Sequence, residues 1–137
     1  MNHKLNIKIY SFSFKKGGIP ADETDNGGGF VFDCRGILNP GRIEEYKPQT
    51  GHDKPVQDFL ETKTEMPKFL NLIQQLVSIT IDDYIERGFQ SLQISFGCTG
   101  GQHRSVYGAI KIGEFLEEKY GEFANIAVTH NEQPQLN

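Results

Sequence analysis

The sequence predicts a small α/β domain in which a mixed, mostly parallel sheet of about four strands is flanked by helices. One observation is the order of the patterns, two strands followed by helix, strand, helix and strand, which requires at least one right-handed crossover. A second is the length of 137 residues, which suits one domain over residues 1–137. A third is a glycine-rich segment between a strand pattern and a helix pattern, typical of an anion site.

The strand predictions rest on alternating apolar and polar residues and on one short apolar run. Alternation predicts a first strand over residues 5–14 and a third over residues 91–96. The apolar run at residues 30–33 predicts the second strand. Residues 125–129 predict a short last strand.

Helical spacing of apolar residues predicts three helices, over residues 55–62, 66–87 and 106–120. A proline opens the first, and Gly88 is placed to cap the second. The expected core face of the second helix consists of Phe69, Leu72, Ile73, Leu76, Val77, Thr80 and Tyr84.

Two segments between these elements predict loops. Residues 15–29 are rich in Gly, Asp, Asn and Lys and indicate an exposed loop, with a flexible linker as the alternative. Residues 36–54 include two prolines and predict a long irregular loop, of a length that often carries function.

Composition excludes several classes of protein. The net charge of −4 argues against a dedicated nucleic-acid binder, and no segment is apolar enough for a membrane helix. The first ten residues contain no signal-peptide pattern, so we expect a cytoplasmic protein. Cys34 and Cys98 form no CxxC pair, and the four histidines lack metal-ligand spacing, so we expect no disulfide framework, metal or cofactor.

The glycine-rich segment ends where the third helix begins. The first N–H groups of a helix have no internal partners and attract anions. Gly100 and Gly101 permit positive φ and close backbone approach, Arg104 supplies a bidentate cation, and Thr99 and Ser105 supply hydroxyls. The alternative is a tight turn in which the glycines serve packing alone.

Ligands of open α/β sheets bind at the carboxyl ends of the strands. This rule places Asp33 and Arg35, at the end of the second strand, near Cys98 if the two strands are neighbours. Asp33 would then accept hydrogen bonds from a hydroxyl or ammonium group of the ligand. Its alternative role is that of a turn or helix-cap residue.

Cys98 and Arg104 also match the C-x5-R-[S/T] pattern of cysteine-dependent phosphatases, in which a thiolate attacks phosphorus. Asp33 and Asp53 are the candidate general acids of this alternative. Gly97 stands where those enzymes usually carry histidine. A third reading of Cys98 is a small buried residue at a strand end.

Four segments in register resemble the C-terminal domain of the RapZ family. They are residues 13–20, residues 32–40, residues 50–56 (TGHDKPV) and residues 97–106 (GCTGGQHRSV). The resemblance implies a regulatory domain that binds a phosphorylated small molecule, a sugar phosphate or a nucleotide. It also implies RNA, a nucleotide-binding partner domain or a second copy of the chain as candidate partners.

By this resemblance the ligand pocket is lined by Asp33, Arg35, Asn39, Cys98, Thr99, Gly100, His103 and Arg104. Gly101, Gln102 and Ser105 complete the candidate set. His130 matches a family histidine that is expected to flank the pocket.

The sequence departs from the family pattern in four places. Gly41 replaces a pocket histidine, Gln102 stands where lysine is frequent, and residues 130–137 contain no lysine or arginine. The chain also contains no Gly-x-x-x-x-Gly-Lys-[Ser/Thr] motif, so an ATP- or GTP-binding role is not carried over from the family.

Overall fold

The computed structural model describes residues 4–137, and its strands form a single sheet. The strands are β1 (Leu5–Ser13), β2 (Gly29–Asp33), β3 (Ser91–Cys98) and β4 (Ala124–His130). They lie in the order β2-β3-β1-β4, with parallel pairing between neighbours. This confirms the predicted α/β fold, and within the described residues the sheet is parallel throughout.

Three helices follow the predicted order. They are α1 (Lys54–Lys63), α2 (Met66–Arg87) and α3 (Arg104–Tyr120). Short 3-10 turns at Pro40–Arg42 and Glu44–Tyr46 lie between β2 and α1, and a third at Pro134–Leu136 follows β4. Gly88 caps α2 with a φ of 72°, as expected. None of the described helices has the length and apolar character needed to span a membrane.

The hydrophobic core lies between one face of the sheet and the helices. Ile7 pairs with Leu92 and Ile9 with Ile94, so the apolar residues of the two central strands share a face. These residues belong to one buried cluster with side chains of all three helices. The alternation that predicted the strands therefore also sets which side of the sheet carries the helices.

The predicted core face of α2 was partly wrong. Leu72 and Leu76 are 57% and 47% exposed. The buried residues of the helix are Met66, Leu70, Ile73, Val77, Ser78 and Ile81. This helix carries two adjacent apolar stripes, and packing against the rest of the molecule buries only one of them.

The parallel arrangement brings the loops that follow the strands to one edge of the sheet. β3 lies between β1 and β2 although it follows both in the sequence. Asp33 is aligned with Gly97, and Ser13 with Cys98. The glycine-rich loop after β3 is therefore central at this edge.

Candidate functional site

A cavity of about 400 Å³ opens at the carboxyl edge of the sheet, beside the start of α3. It is lined by Asn39, Gly41, Lys47, Cys98, Thr99, Gly100, Gln102, His103 and Arg104. Seven of these nine belong to the set proposed from the sequence. The other four members of that set, Asp33, Arg35, Gly101 and Ser105, lie outside the lining.

The loop between β3 and α3 is held by contacts with β1 and with the C-terminal segment. The Ser13 hydroxyl donates to the carbonyl of Thr99 at 2.5 Å and accepts from the N–H groups of residues 15–16. Gly101 has a φ of +66°, and a Cβ there would lie 2.7 Å from Cγ of Glu132. Both conformation and space therefore require glycine at position 101.

The start of α3 presents unpaired backbone donors beside this loop. The N–H of Tyr107 bonds back to the carbonyl of His103 at 3.0 Å. The N–H groups of residues 104–106 precede the first intrahelical bond and have no partner within the helix. Their dipoles favour an anion at the helix start.

Arg104 is the first residue of α3 and is only 4% exposed. Its Nη1 donates to the carbonyl oxygens of Arg35 at 3.1 Å and Ile37 at 2.8 Å. Its Nε is buried without a partner among residues 4–137, and no carboxylate in that range lies within ion-pair distance of the guanidinium. The guanidinium is thus buried without an ion pair and keeps an unused donor, although its charge contributes to lowering the pKa of Asp33. This arrangement is costly without a ligand.

His103 is buried at the cavity wall, where its ring lies beside backbone groups of Tyr46 and Gln49. Nε2 lies 2.8 Å from the carbonyl oxygen of Tyr46. A carbonyl can only accept, so Nε2 carries the hydrogen, and Nδ1 is an acceptor in the neutral ring. Burial lowers the pKa of His103 and outweighs the opposing effect of the Tyr46 carbonyl, so the ring is neutral at pH 7.

Cys98 lines the cavity, and its thiol donates to the hydroxyl of Ser105 at 3.1 Å. Ser105 is fully buried and does not line the cavity, and its hydroxyl is bonded to the Cys98 thiol, which does. Cys98 and Arg104, the two residues of the C-x5-R pattern, share this cavity. The spacing that suggested a phosphatase therefore also places both groups where an anion would bind.

Asp33 and Arg35 form an exposed ion pair at the same edge of the sheet. Arg35 Nη2 lies 2.8 Å from Asp33 Oδ2, and Arg35 stacks over the ring of Phe14 at 4.0 Å. Hydrogen bonds from Arg35 lower the pKa of Asp33. Phe32 belongs to the core side of β2, so strand alternation directs Asp33 to the opposite side. The strands that carry Asp33 and Cys98 are neighbours, which was the condition for placing Asp33 near Cys98. The side chain of Asp33 nevertheless points away from the cavity.

The long loop between β2 and α1 closes one side of the cavity. The amide nitrogen of Gln102 donates to the carbonyls of Lys47 at 2.6 Å and Gln49 at 2.7 Å. The side-chain oxygen of Asn39 accepts from the N–H of Gly41 at 2.9 Å. Sequence reasoning missed Lys47. It predicted a functional loop here, but which residue of an irregular loop reaches a site depends on tertiary contacts.

His130 does not flank this cavity. Its Nδ1 lies 2.7 Å from the Ser11 hydroxyl, and the residue lines a separate cavity of about 610 Å³ between α3 and β4, together with His52. Within residues 4–137, no group of three or more His, Cys, Asp or Glu side chains is placed to hold a metal ion.

Comparison with known proteins agrees with the motifs assembled here. The family model described as RapZ C-terminal domain matches residues 5–134. The chain is 40% identical over 115 residues to a nucleotide-binding protein of Fervidobacterium nodosum, covering 83% of this chain and 39% of that protein. It is 42% identical over 123 residues to one of Clostridium acetobutylicum, covering 90% and 40%.

A nucleotide-binding protein of Fusobacterium nucleatum is 38% identical over 130 residues, which cover 94% of this chain and 43% of that protein. The chain therefore spans about two fifths of the length of these relatives. The family model covers the sheet, the helices and the loops that line the cavity, and this chain belongs to the RapZ C-terminal domain family.

Proposed function

We propose that the cavity binds the phosphate group of a small phosphorylated ligand, a sugar phosphate or a nucleotide, and that the domain serves regulation and not catalysis. The observation that carries this proposal is Arg104. It is a buried cation that lines the cavity, and its Nε has no hydrogen-bond partner in the described part of the chain. An anion would satisfy both the charge and the free donor.

The charges around the cavity support the same ligand. Lys47 and Arg104 are cations in its lining, and the lining contains no acidic residue. The start of α3 adds the positive end of a helix dipole. The formal charge of −4 for the whole chain thus does not describe this local environment.

The size and polar groups of the cavity favour a small molecule. Its volume of about 400 Å³ lies within the range of about 300–1,000 Å³ typical of small-molecule sites. Beyond the phosphate position, Asn39, Thr99 and Gln102 offer hydrogen-bonding groups suited to hydroxyls. Asp33 and Arg35, which the resemblance assigns to the ligand pocket, pair with each other outside the lining and make no contact in this proposal.

The names of the relatives keep a nucleotide among the candidates. Those names belong to proteins more than twice as long as the matched segment. The chain itself lacks the Gly-x-x-x-x-Gly-Lys-[Ser/Thr] motif. A sugar phosphate and a nucleotide are therefore both included in the binding experiment.

Titration calorimetry with inorganic phosphate, an amino-sugar phosphate and a nucleoside monophosphate tests the proposal. We expect Arg104→Lys to weaken binding by about 10- to 100-fold, because lysine keeps the charge but loses the planar fork of donors. Arg87→Lys, an exposed position at the end of α2, is the matched control and should bind as the wild type.

Circular dichroism must first establish that Arg104→Lys is folded, because the arginine also holds two carbonyls. If the folded variant binds phosphate as tightly as the wild type, the anion site lies elsewhere.

A cysteine-dependent phosphatase is the second candidate, favoured by the shared placement of Cys98 and Arg104. Neither candidate for the general acid of such a phosphatase is free to donate a proton in the cavity. Asp33 is ion-paired with a lowered pKa, and Asp53 Oδ2 accepts from the N–H of Thr50 at 2.7 Å. Steady hydrolysis of an aryl phosphate that disappears in Cys98→Ser would establish the phosphatase in place of the regulatory domain.

RNA and a separate nucleotide-binding domain remain partner proposals that rest on the resemblance to the family. Binding of a structured RNA that weakens steeply with salt at physiological ionic strength would support the RNA role. Binding that is absent, or insensitive to salt, would leave the small phosphorylated ligand as the relevant partner.

A further inference from the structure

The two cysteines of the chain lie at the carboxyl ends of neighbouring strands, and Cys98 lines the cavity. Asp33 is aligned with Gly97, and the N–H of Cys34 donates to the carbonyl of Gly97 at 2.7 Å. Continuing this register by one residue aligns Cys34 with Cys98, and the charge of a Cys98 thiolate would be close enough to raise the pKa of Cys34. Both cysteines belong to the core cluster, as does Phe96, two residues before Cys98, and Phe32, two residues before Cys34, packs against that cluster. Strand alternation therefore places both thiols on the core side of the sheet.

This alignment brings the two cysteines within the range that a disulfide requires. Adjacent strands lie about 4.7–4.9 Å apart. Disulfide-linked residues have Cα atoms about 4.4–6.8 Å apart. Both cysteines are free and buried.

The two thiols differ in their access to small oxidants. Cys98 lines the cavity, whereas Cys34 has no exposed surface and does not line it. Burial raises the pKa of the Cys34 thiol, and the neighbouring Cys98 adds to this effect. A small oxidant in the cavity therefore contacts the Cys98 sulfur, and Cys34 is the second thiol, which the oxidant does not reach directly.

We propose that Cys34 and Cys98 are a redox-modification site, which hydrogen peroxide oxidises to an intramolecular disulfide beside the cavity. The Cys98 thiolate attacks one oxygen of the peroxide, forming an S–O bond and breaking the O–O bond. Hydroxide leaves and takes up the thiol proton as water. The Cys34 sulfur then attacks the sulfenic sulfur, so that the S–S bond forms and the S–O bond breaks, and the departing hydroxide takes up the Cys34 proton and leaves as a second water. Two thiols are oxidised, and one peroxide is reduced to two waters.

The disulfide changes the cavity, because Cys98 loses the hydrogen that it donates to Ser105. Its sulfur is drawn toward Cys34 and away from the start of α3. Oxidation thereby couples the redox state to phosphate binding, a consequence that rests on the proposed function. We expect the affinity for inorganic phosphate to fall by about tenfold and to return after reduction.

The experiment treats the folded chain with hydrogen peroxide at low protein concentration and removes the peroxide. The chain is then unfolded in urea at neutral pH in the presence of N-ethylmaleimide and analysed by mass spectrometry. The untreated chain should take up two alkyl groups. The oxidised chain should take up none, lose the mass of two hydrogens and remain a monomer. This readout contains no ligand, so it succeeds or fails independently of the proposed phosphate site.

Two single variants separate the roles of the sulfurs. In Cys34→Ala, we expect a Cys98 sulfenic acid that dimedone traps. In Cys98→Ala, we expect Cys34 to stay reduced, because burial shields it from peroxide. Native-like circular dichroism is required of both variants before oxidation.

Any of three results would contradict an intramolecular disulfide between Cys34 and Cys98. They are two alkylated thiols after oxidation of the wild type, a trapped sulfenic acid that persists while Cys34 is present, and a disulfide between chains. A disulfide that forms without changing phosphate affinity would keep the modification site and refute only its coupling to the cavity.

Discussion

At the scale of single residues, Arg104 defines the chemistry of the site. Two backbone carbonyls orient its guanidinium, yet neither supplies a negative charge. Burying a cation in this way is costly unless an anion joins it. The same carbonyls hold the fork in place before binding, which reduces the entropy that a ligand must overcome.

His103 predicts a pH dependence of anion binding. Its pKa is lowered by burial, and Nδ1 becomes a donor only when the ring is protonated. A bound anion stabilises the protonated ring, so affinity should rise as the pH falls below the ordinary histidine value of 6.5. Sulfate is the suitable probe, because it remains a dianion over this range.

Calorimetry with sulfate between pH of about 8 and about 5.5 measures this dependence. In His103→Gln the slope should be flatter, because the amide cannot take up the proton. An unchanged slope in this variant would assign the proton uptake to another group.

At the scale of secondary structure elements, α2 offers a matched pair of leucines. Leu70 is 6% exposed and belongs to the core cluster, whereas Leu72 is 57% exposed. Leu70→Ala should reduce the free energy of unfolding by about 2–5 kcal/mol, because it removes buried contacts and leaves a cavity. Leu72→Ala should change it by less than about 0.5 kcal/mol.

Urea unfolding followed by circular dichroism measures both variants. The two substitutions are chemically identical and lie on the same helix, so differences in helix propensity cancel. Equal losses of stability would mean that the buried face of α2 is not the one described.

Secondary structure was predicted well where it depends on residues that are close in the sequence. The alternation at residues 91–96 and the glycine cap at Gly88 depend on nearby residues only, and both features are present. The buried face of α2 was predicted less well, because its sequence carries two apolar stripes. Which stripe is buried depends on distant partners such as Tyr120, whose hydroxyl donates to Asp82 at 2.7 Å.

At the scale of the whole molecule, two buried histidines predict how stability depends on pH. Burial lowers the pKa of His103 and His130, with a smaller effect of His52 on the latter. In the unfolded chain these histidines therefore bind protons near pH 6.5, whereas in the folded chain they bind them only at a lower pH. The stability contributed by the neutral rings is complete above 6.5 and is lost as the pH falls through the folded pKa values.

Urea unfolding at a series of pH values from about 7.5 down to about 5 checks this prediction. The free energy of unfolding should decrease over the series. A double variant, His103→Asn with His130→Asn, should show a smaller decrease, whatever its stability at the upper end. The same decrease in both proteins would place the protons on other groups.

The candidate site was predictable to the extent that it lies on one continuous segment. Thr99, Gly100, Gln102, His103 and Arg104 follow one another closely and line the cavity together. Lys47 was missed, and Asp33 and Arg35 lie outside the lining. All three residues lie outside the segment that joins β3 to α3, and their placement depends on how a loop or a strand end turns.

Sequence alone predicted a mixed, mostly parallel sheet, which is parallel throughout residues 4–137. It determined the elements, the α/β class and the glycine-rich loop at the start of a helix. These features follow from local periodicity, from glycine and from the start of a helix. Tertiary structure alone decided the neighbours of that loop. The insertion of β3 between β1 and β2 aligns Cys34 with Cys98 across 63 intervening residues. It also gives Arg104 two carbonyl partners in place of a carboxylate. Strand order sets these contacts, and no local pattern encodes strand order.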